Sequence, residues 1–255
     1  MADDFHIDDS NAGDLLADPH HKRGRVPRDY HKVPHGSMPF APAFDLPLID
    51  RKDWARLAKK MEDEGTRLSD IRGDIPSLNQ DGFNTCWAHA PASAMILIRA
   101  LMNQPRVRFS PMAVAALVKN FSDPGGWGGE AVRFIVENGI PDEQFWPDDQ
   151  MDPSFVTPEM KADAAKHKIA GWSDLLPRDF DQLATCLLNG WPVAVGYDWW
   201  SHEVCACDLV FNEDTGEFGV RIWNSWGDTW GERGMGVLWG HRAVPDDAVA
   251  LRNVT

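Results

Sequence analysis

Residues 86–103, CWAHAPASAMILIRALMN, are rich in Ala, Leu and Met and apolar on nearly every side of a helix. A helix of that kind cannot lie on a surface, so the rest of the chain must wrap it. Cys86 stands at its start, where a loop meets the helix, and Pro91 falls in its first turns, where the missing N–H costs least. On either side the chain changes period once. Before residue 190 the pattern is helical. Trp54, Leu57 and Met61 recur at i, i+3 and i+7 within 50–64, and Gly65 closes that helix. Ser110 caps a second helix with Pro111 at its first position, running to about Asn120. Residues 130–137 and 179–188 are shorter helices ended by Asn138-Gly139 and Asn189-Gly190. Residues 71–83, 123–129 and 141–158 read as Gly/Pro-punctuated loops. After residue 190 the period is two: 192–196, 202–211, 218–223 and 235–239 read as strands, with NEDTG (212–216) as a hairpin turn. Helices come first and an antiparallel sheet second, with no βαβ alternation. That is an α+β layout in two subdomains.

At 255 residues and 43% apolar, the chain can build one domain of roughly 180–220 residues with extensions. The boundaries expected are an extended charged arm over 1–46, a helical lead-in over 47–70, the domain over 71–245 and a C-terminal tail over 246–255. The net charge of −14 speaks against a nucleic-acid partner, which calls for a basic face. No run of 18 apolar residues predicts a membrane span. MADDFHIDDSNAGDLLADPHH has neither the basic nor the apolar region of a secretory leader. Four Cys are too few for a disulfide scaffold. Cys205 and Cys207, two apart on a strand, are poorly placed to bond each other, a pattern that suits the cytoplasm or another reducing compartment.

The arm is charge-segregated. Residues 1–19 carry six Asp and no Lys or Arg, whereas 20–35 carry Lys22, Arg23, Arg25, Arg28 and Lys32 against Asp29. Its apolar anchors, Met38, Phe40, Phe44 and Leu46, cluster before the first helix, and Pro39, Pro42 and Pro47 keep that stretch extended. The expectation is that 36–48 packs on the domain while 1–35 engages a partner chain or stays mobile. If 1–35 instead folds onto its own domain, self-inhibition becomes the better idea.

A thiol at a helix start feels the positive helix end, which favours the thiolate. Such a nucleophile needs a base. His202 opens a strand about 115 residues on, and Asn224 ends the next strand after a hairpin, about 5 Å away in strand spacing. The order Cys, His, Asn suits a helix that supplies the nucleophile and a sheet that supplies base and orienter.

Those residues carry a resemblance. Gln80-x5-Cys86-Trp87-Ala88 resembles the active-site segment of the papain-like cysteine peptidases. Asn224-Ser225-Trp226-Gly227, followed by Trp230-Gly231-Glu232 and Gly234, resembles that family's asparagine segment. Ser201-His202-Glu203-Val204 resembles its histidine strand, Gly128-Gly129 its cleft glycine pair and Phe109-Ser110-Pro111 the opening of its second helix. The resemblance covers about 70–240. It implies a papain-like fold, a helical subdomain and a β subdomain with a cleft between them. It implies peptide-bond hydrolysis through an acyl-enzyme on Cys86, with a peptide or protein as substrate and no metal or cofactor. His202 would be base and then acid, Asn224 would hold the imidazole, and Gln80 would donate to the oxyanion with the backbone N–H of Cys86. Gly128, Gly129, Glu203 and Trp226 would bind substrate, Trp226 also shielding the His202–Asn224 bond. Glu203, next after the histidine, would favour Lys or Arg at the second residue before the cut. Trp199 and Trp200 are candidates for the cleft wall.

Departures accompany it. The family's secreted members bridge a cysteine three residues before the nucleophile to one just before the glycine pair; Phe83 and Gly126 stand there. His89 replaces an aromatic residue, and the stretch 192–202 is compressed. The long inhibitory pro-segment and its helical motif are not visible in 1–70, so activation by its removal is not implied. The alternative is a papain-fold structural or docking protein of a larger assembly, for example a phage virion. An acyl-transfer enzyme of the transglutaminase type would orient its His with Asp rather than Asn.

Overall fold

The structure is a computed structural model, and it describes residues 5–38 and 40–255. Its helices are α1 (Ala12–Ala17), α2 (Arg51–Asp63), α3 (Leu68–Arg72), α4 (Cys86–Leu101), α5 (Pro111–Val118), α6 (Gly128–Asn138), α7 (Pro158–Ala164) and α8 (Phe180–Leu188). Its strands are β1 (His6–Ile7), β2 (Ile169–Asp174), β3 (Val193–Tyr197), β4 (His202–Asn212), β5 (Glu217–Trp223), β6 (Met235–Trp239) and β7 (Asp247–Val254). The strands form one sheet in the order β1-β6-β5-β4-β3-β7-β2, antiparallel except where β1 joins β6.

The all-apolar helix is α4, and its first fourteen residues are buried. It lies against one face of the sheet, with α5 and α6 closing its far side. A second apolar cluster covers the sheet's other face beneath α2 and α8. Each central strand therefore buries both faces. On β4, Cys205 and Cys207 join the α4 side, whereas Val204 and Ala206 join the α8 side. That is why HEVCACDLVF reads as a continuous apolar run. Pro91 is the sixth residue of α4, past the four N–H groups free at any helix start, so it deletes a ladder bond at the Trp87 carbonyl, contrary to the expectation.

Three regions depart from expectation. Residues 247–254 are no tail: β7 lies between β3 and β2, with Val249 and Leu251 on one face and Ala248 and Ala250 on the other. The expected loops 71–83 and 141–158 are bordered by α3 and α7, short helices without a sustained period. The third is the arm. Residues 5–38 lie on their own domain, and residues 1–4 of the expected mobile or partner-binding stretch lie outside the described residues. Ile7 is fully buried in β1, which extends the sheet at β6, and the Phe5 carbonyl accepts from Val237 N at 2.8 Å. Arg23 Nη2 donates to the last carbonyls of α1, Leu15 O at 2.6 Å and Leu16 O at 3.0 Å. Residues 40–44 pack as well: Phe40 meets the Trp127 ring, and the 42–44 backbone brackets Asp174. Met38 is exposed, and Pro39 lies outside the described residues. Charge on the domain replaces the apolar contact that the arm lacks. Arg28 makes a bidentate pair with buried Asp174, both bonds at 2.8 Å.

Candidate active site

The loop before α4 and the loop after β5 are knitted together. Gln80 N donates to Ser225 O at 2.9 Å, Gly227 N to Leu78 O at 3.0 Å, and Ser225 Oγ to Gln80 Oε1 at 2.7 Å. The last bond fixes the amide, so Gln80 Nε2 faces the start of α4. The loops at 84 and 123 are joined by Asn84, whose N donates to both Asp123 oxygens at 3.0 Å. A hydrogen-bonded tie thus joins the two loops, one residue from Phe83 and three from Gly126; all four cysteines are free.

His202 opens β4, fully buried, and its Nε2 lies 2.7 Å from Asn224 Oδ1. The same oxygen accepts from Ser225 N at 2.8 Å. An oxygen already accepting there makes Nε2 the protonated nitrogen of His202 and leaves Nδ1 with the lone pair. Nδ1 has no hydrogen-bond partner among the described residues. Trp226 stacks on the imidazole at 4.4 Å, and Trp200 meets it edge-on at 4.8 Å. Trp200 is thus buried behind the histidine and is no cleft wall.

The arm runs over this row. Lys22 O accepts from Gln80 Nε2 at 3.0 Å and from Trp226 Nε1 at 2.9 Å. Arg23 O accepts from Gln80 Nε2 at 2.9 Å and, at a longer 3.4 Å, from Cys86 N. Gly126 N donates to Gly24 O at 2.9 Å, and Val26 N to Gly126 O at 2.7 Å, a parallel bridge. His21 stacks on Trp226 at 4.5 Å.

Beneath the arm Cys86 and His202 are fully buried. Burial pushes the Cys86 thiol far above its ordinary value, reinforced by the Glu203 carboxylate; Arg25 and the N–H groups at Glu203 and Trp87 oppose this. Burial also lowers His202 to about 3, against the Asn224 hydrogen bond. Both shifts favour a neutral thiol and a neutral imidazole. His89 is buried one turn into α4, lowered to about 4 by burial, its Nδ1 2.9 Å from Thr85 O.

One expectation about the cleft changes. Gly128 and Gly129 are the first residues of α6, so their backbone is committed. Gly128 N donates to Glu203 Oε2 at 2.9 Å, and a Cβ on Gly129 would collide with Trp127. The glycine whose backbone is free to pair is Gly126, in the preceding pair of DPGGWGG. Glu203 points to the α4–α6 side of the sheet, opposite to His202, as strand alternation dictates. Ser225, Gly126, Gly196 and Asp247 also shape the site and were not among the candidate site residues. Ser225 stands in the NSWG segment and Gly126 in a second glycine pair of the same loop, whereas Gly196 and Asp247 carried no signal.

No family model matches the chain. It is 26% identical over 237 residues to the cysteine protease Amb a 11.0101 of Ambrosia artemisiifolia, covering 83% of this chain and 55% of that one. It is 23% identical over 192 residues to zingipain-2 of Zingiber officinale, covering 63% and 80%. The chain thus spans about half the length of the Ambrosia protein. Among solved structures it superposes on xylellain, a cysteine protease from Xylella fastidiosa, with a TM-score of 0.65 at 19% identity, covering 93% of this chain and 99% of that one. That likeness shows the fold. In sequence the chain is similar to these cysteine proteases at low identity, and its fold is papain-like.

Proposed function

We propose that the chain is a cysteine peptidase acting through an acyl-enzyme on Cys86, and that the arrangement described is its latent form, closed by residues 21–26. The observation that carries this reading is the convergence of Gln80 Nε2 and Cys86 N on one carbonyl oxygen, that of Arg23. Two donors aimed at one oxygen beside a helix-start thiol form an oxyanion site, and the arm's carbonyl stands in for that of a substrate.

With the arm displaced, water reaches the cleft and the penalty on charged forms falls. Cys86 then gives its proton to His202 Nδ1, and Asn224 holds the imidazolium through Nε2–H. The Sγ attacks the substrate carbonyl carbon, and its oxygen takes the negative charge between Gln80 and Cys86 N. As the C–N bond breaks, His202 returns the proton to the leaving amine; water then hydrolyses the thioester. Trp226 excludes solvent from the His202–Asn224 bond. The arm itself is held the wrong way round for this. Its N-terminal half, Lys22, lies under Trp226 on the His202 side, where a substrate's leaving amine belongs. Its C-terminal half lies along Gly126.

The test is labelling of the full chain with an epoxysuccinyl thiol inhibitor, with peptide-library hydrolysis alongside. Labelling confined to Cys86, accelerated when the arm is loosened and abolished in Cys86→Ala with the fold intact, supports the reading. Hydrolysis near wild type in Cys86→Ala would exclude it. Four free, buried thiols suit a reducing compartment.

A further inference from the structure

Arg25 is seated in a slot built from three neighbouring strands. Gly196 on β3 pairs with Glu203 on β4 and with Asp247 on β7. Directly paired residues point to one face at a spacing of about 5 Å, so two carboxylates flank a glycine. A Cβ on Gly196 would collide with Arg25 Nε, so the missing side chain makes the room that the guanidinium fills. Glu203 and Asp247 are both buried. One guanidinium nitrogen of Arg25 bonds Asp247 at the bottom, and another bonds Asp198 at the exposed rim. Its Nε is buried over Gly196 without a hydrogen-bond partner among the described residues. Burial raises the Glu203 and Asp247 carboxyls, and Arg25 opposes the rise in both. The same arm residue is the one bridged to Gly126 by backbone pairing, so slot and backbone rail belong to a single cleft.

We propose that this slot is a substrate subsite selective for arginine, and that Arg25 imitates the substrate side chain it excludes; the proposal rests on the peptidase reading above. Asp247 and Asp198, which bond different nitrogens of one planar fork, fit a guanidinium. A lysine ammonium is a point charge and reaches only one of them well. Once the arm leaves, the slot keeps two buried carboxylates without a cation. That favours a guanidinium and penalises an aliphatic side chain.

The experiment uses the full chain carrying Arg25→Ala, to free the slot, and Cys86→Ala, to prevent turnover. Fluorescent peptides that differ only by Arg, Lys or Leu, scanned along the peptide, are titrated by anisotropy. At the best position Arg should bind about tenfold or more tighter than Leu, with Lys between. Asp247→Asn should bring Arg and Leu within about twofold, and Asp198→Asn, at the rim, should reduce the Arg preference by about threefold. Asp198→Asn keeps the test decisive if Asp247→Asn does not fold. Leu binding as tightly as Arg at every position, or an Arg preference untouched by both substitutions, would overturn the proposal. Epoxysuccinyl labelling of Arg25→Ala with Cys86 intact is read separately. Labelling without Arg preference removes the slot and leaves the peptidase. Arg preference without labelling removes the peptidase and leaves the slot as a guanidinium site.

Discussion

Two stretches of the arm invite comparison. Residues 20–28 are among the most basic in the chain, whereas 36–48 hold its apolar anchors. In the structure the charged stretch is the deeper one. Arg25 and Arg28 are buried, while Met38 is 64% and Leu48 50% exposed. Apolar content therefore does not decide which part of an arm docks. What decides is the surface that receives it. Asp174 and Asp247 are buried carboxylates that need a cation, and the arm brings one to each. An isolated buried charge is expensive, so each pair holds because losing one partner strands the other.

Arg28 is the arm's strongest tether. Arg28→Ala leaves Asp174 buried without its cation and removes the contacts to Val33 O and Pro34 O. The expected loss is roughly 3–5 kcal/mol of arm docking. It should appear as Cys86 labelling faster by a hundredfold or more, since each ~1.4 kcal/mol is tenfold in population. Hydrogen exchange should report lost protection over 20–35. A labelling rate equal to wild type would mean that the charged stretch does not hold the cleft closed.

The same contrast explains how much could be read from sequence. The α4 helix, the Gln80–Cys86 spacing and the NSWG segment were legible because each is set within a few residues. The α+β layout followed from one change of period. The arm's docking was not legible, because Arg28 meets Asp174 146 residues away and Arg25 meets Asp247 222 residues away. β7 was missed because it buries both faces and so shows no alternation, and β2 because its register breaks at Gly171. The choice between Gly125-Gly126 and Gly128-Gly129 turned on where α6 starts, a boundary that pattern alone leaves loose.

Gln80 comes next in size, because it serves both the arm and a substrate. In an Arg25→Ala background, Gln80→Ala should lower kcat/KM by on the order of 10²-fold, as one of two oxyanion donors is lost. The ratio of labelling rates between closed and loosened arm should shrink too, since Gln80 Nε2 also holds Lys22 O and Arg23 O. Unchanged hydrolysis would remove Gln80 from the site.

Acid acts on the domain beneath the arm as well as on the arm's ion pairs. His89 titrates near 6.5 when unfolded and near 4 when buried. Between those values the unfolded chain holds the extra proton. The stability that neutral His89 confers is therefore present above about pH 6.5 and lost as pH falls towards 4, roughly 2 kcal/mol of it by pH 5. His202 acts with the same sign, and the raised Glu203 and Asp247 carboxyls with the opposite one. His89→Asn keeps a donor for Thr85 O and removes the titration. Its urea midpoint should shift less between pH 7 and pH 5 than that of wild type, whatever the state of the arm. An equal shift in both proteins would assign the acid sensitivity elsewhere.

The smallest effect is expected where an apolar reading of the arm would place the largest. Met38 is an exposed large apolar side chain, and no buried cluster of the described domain includes it. Met38→Ser therefore withdraws little area from any core and should change stability by no more than about 0.5 kcal/mol. Cys86 labelling should stay within about twofold of wild type, since ~0.5 kcal/mol is little more than a twofold change in population. Ala41, a few residues on, is buried in the α4 cluster, and Ala41→Asp makes the matched control. An unpaired carboxylate there should loosen 36–48 measurably while Arg25 and Arg28 keep their partners. If Met38→Ser opened the cleft as widely as Arg28→Ala, apolar anchoring would hold the arm after all, and the buried ion pairs would be its passengers.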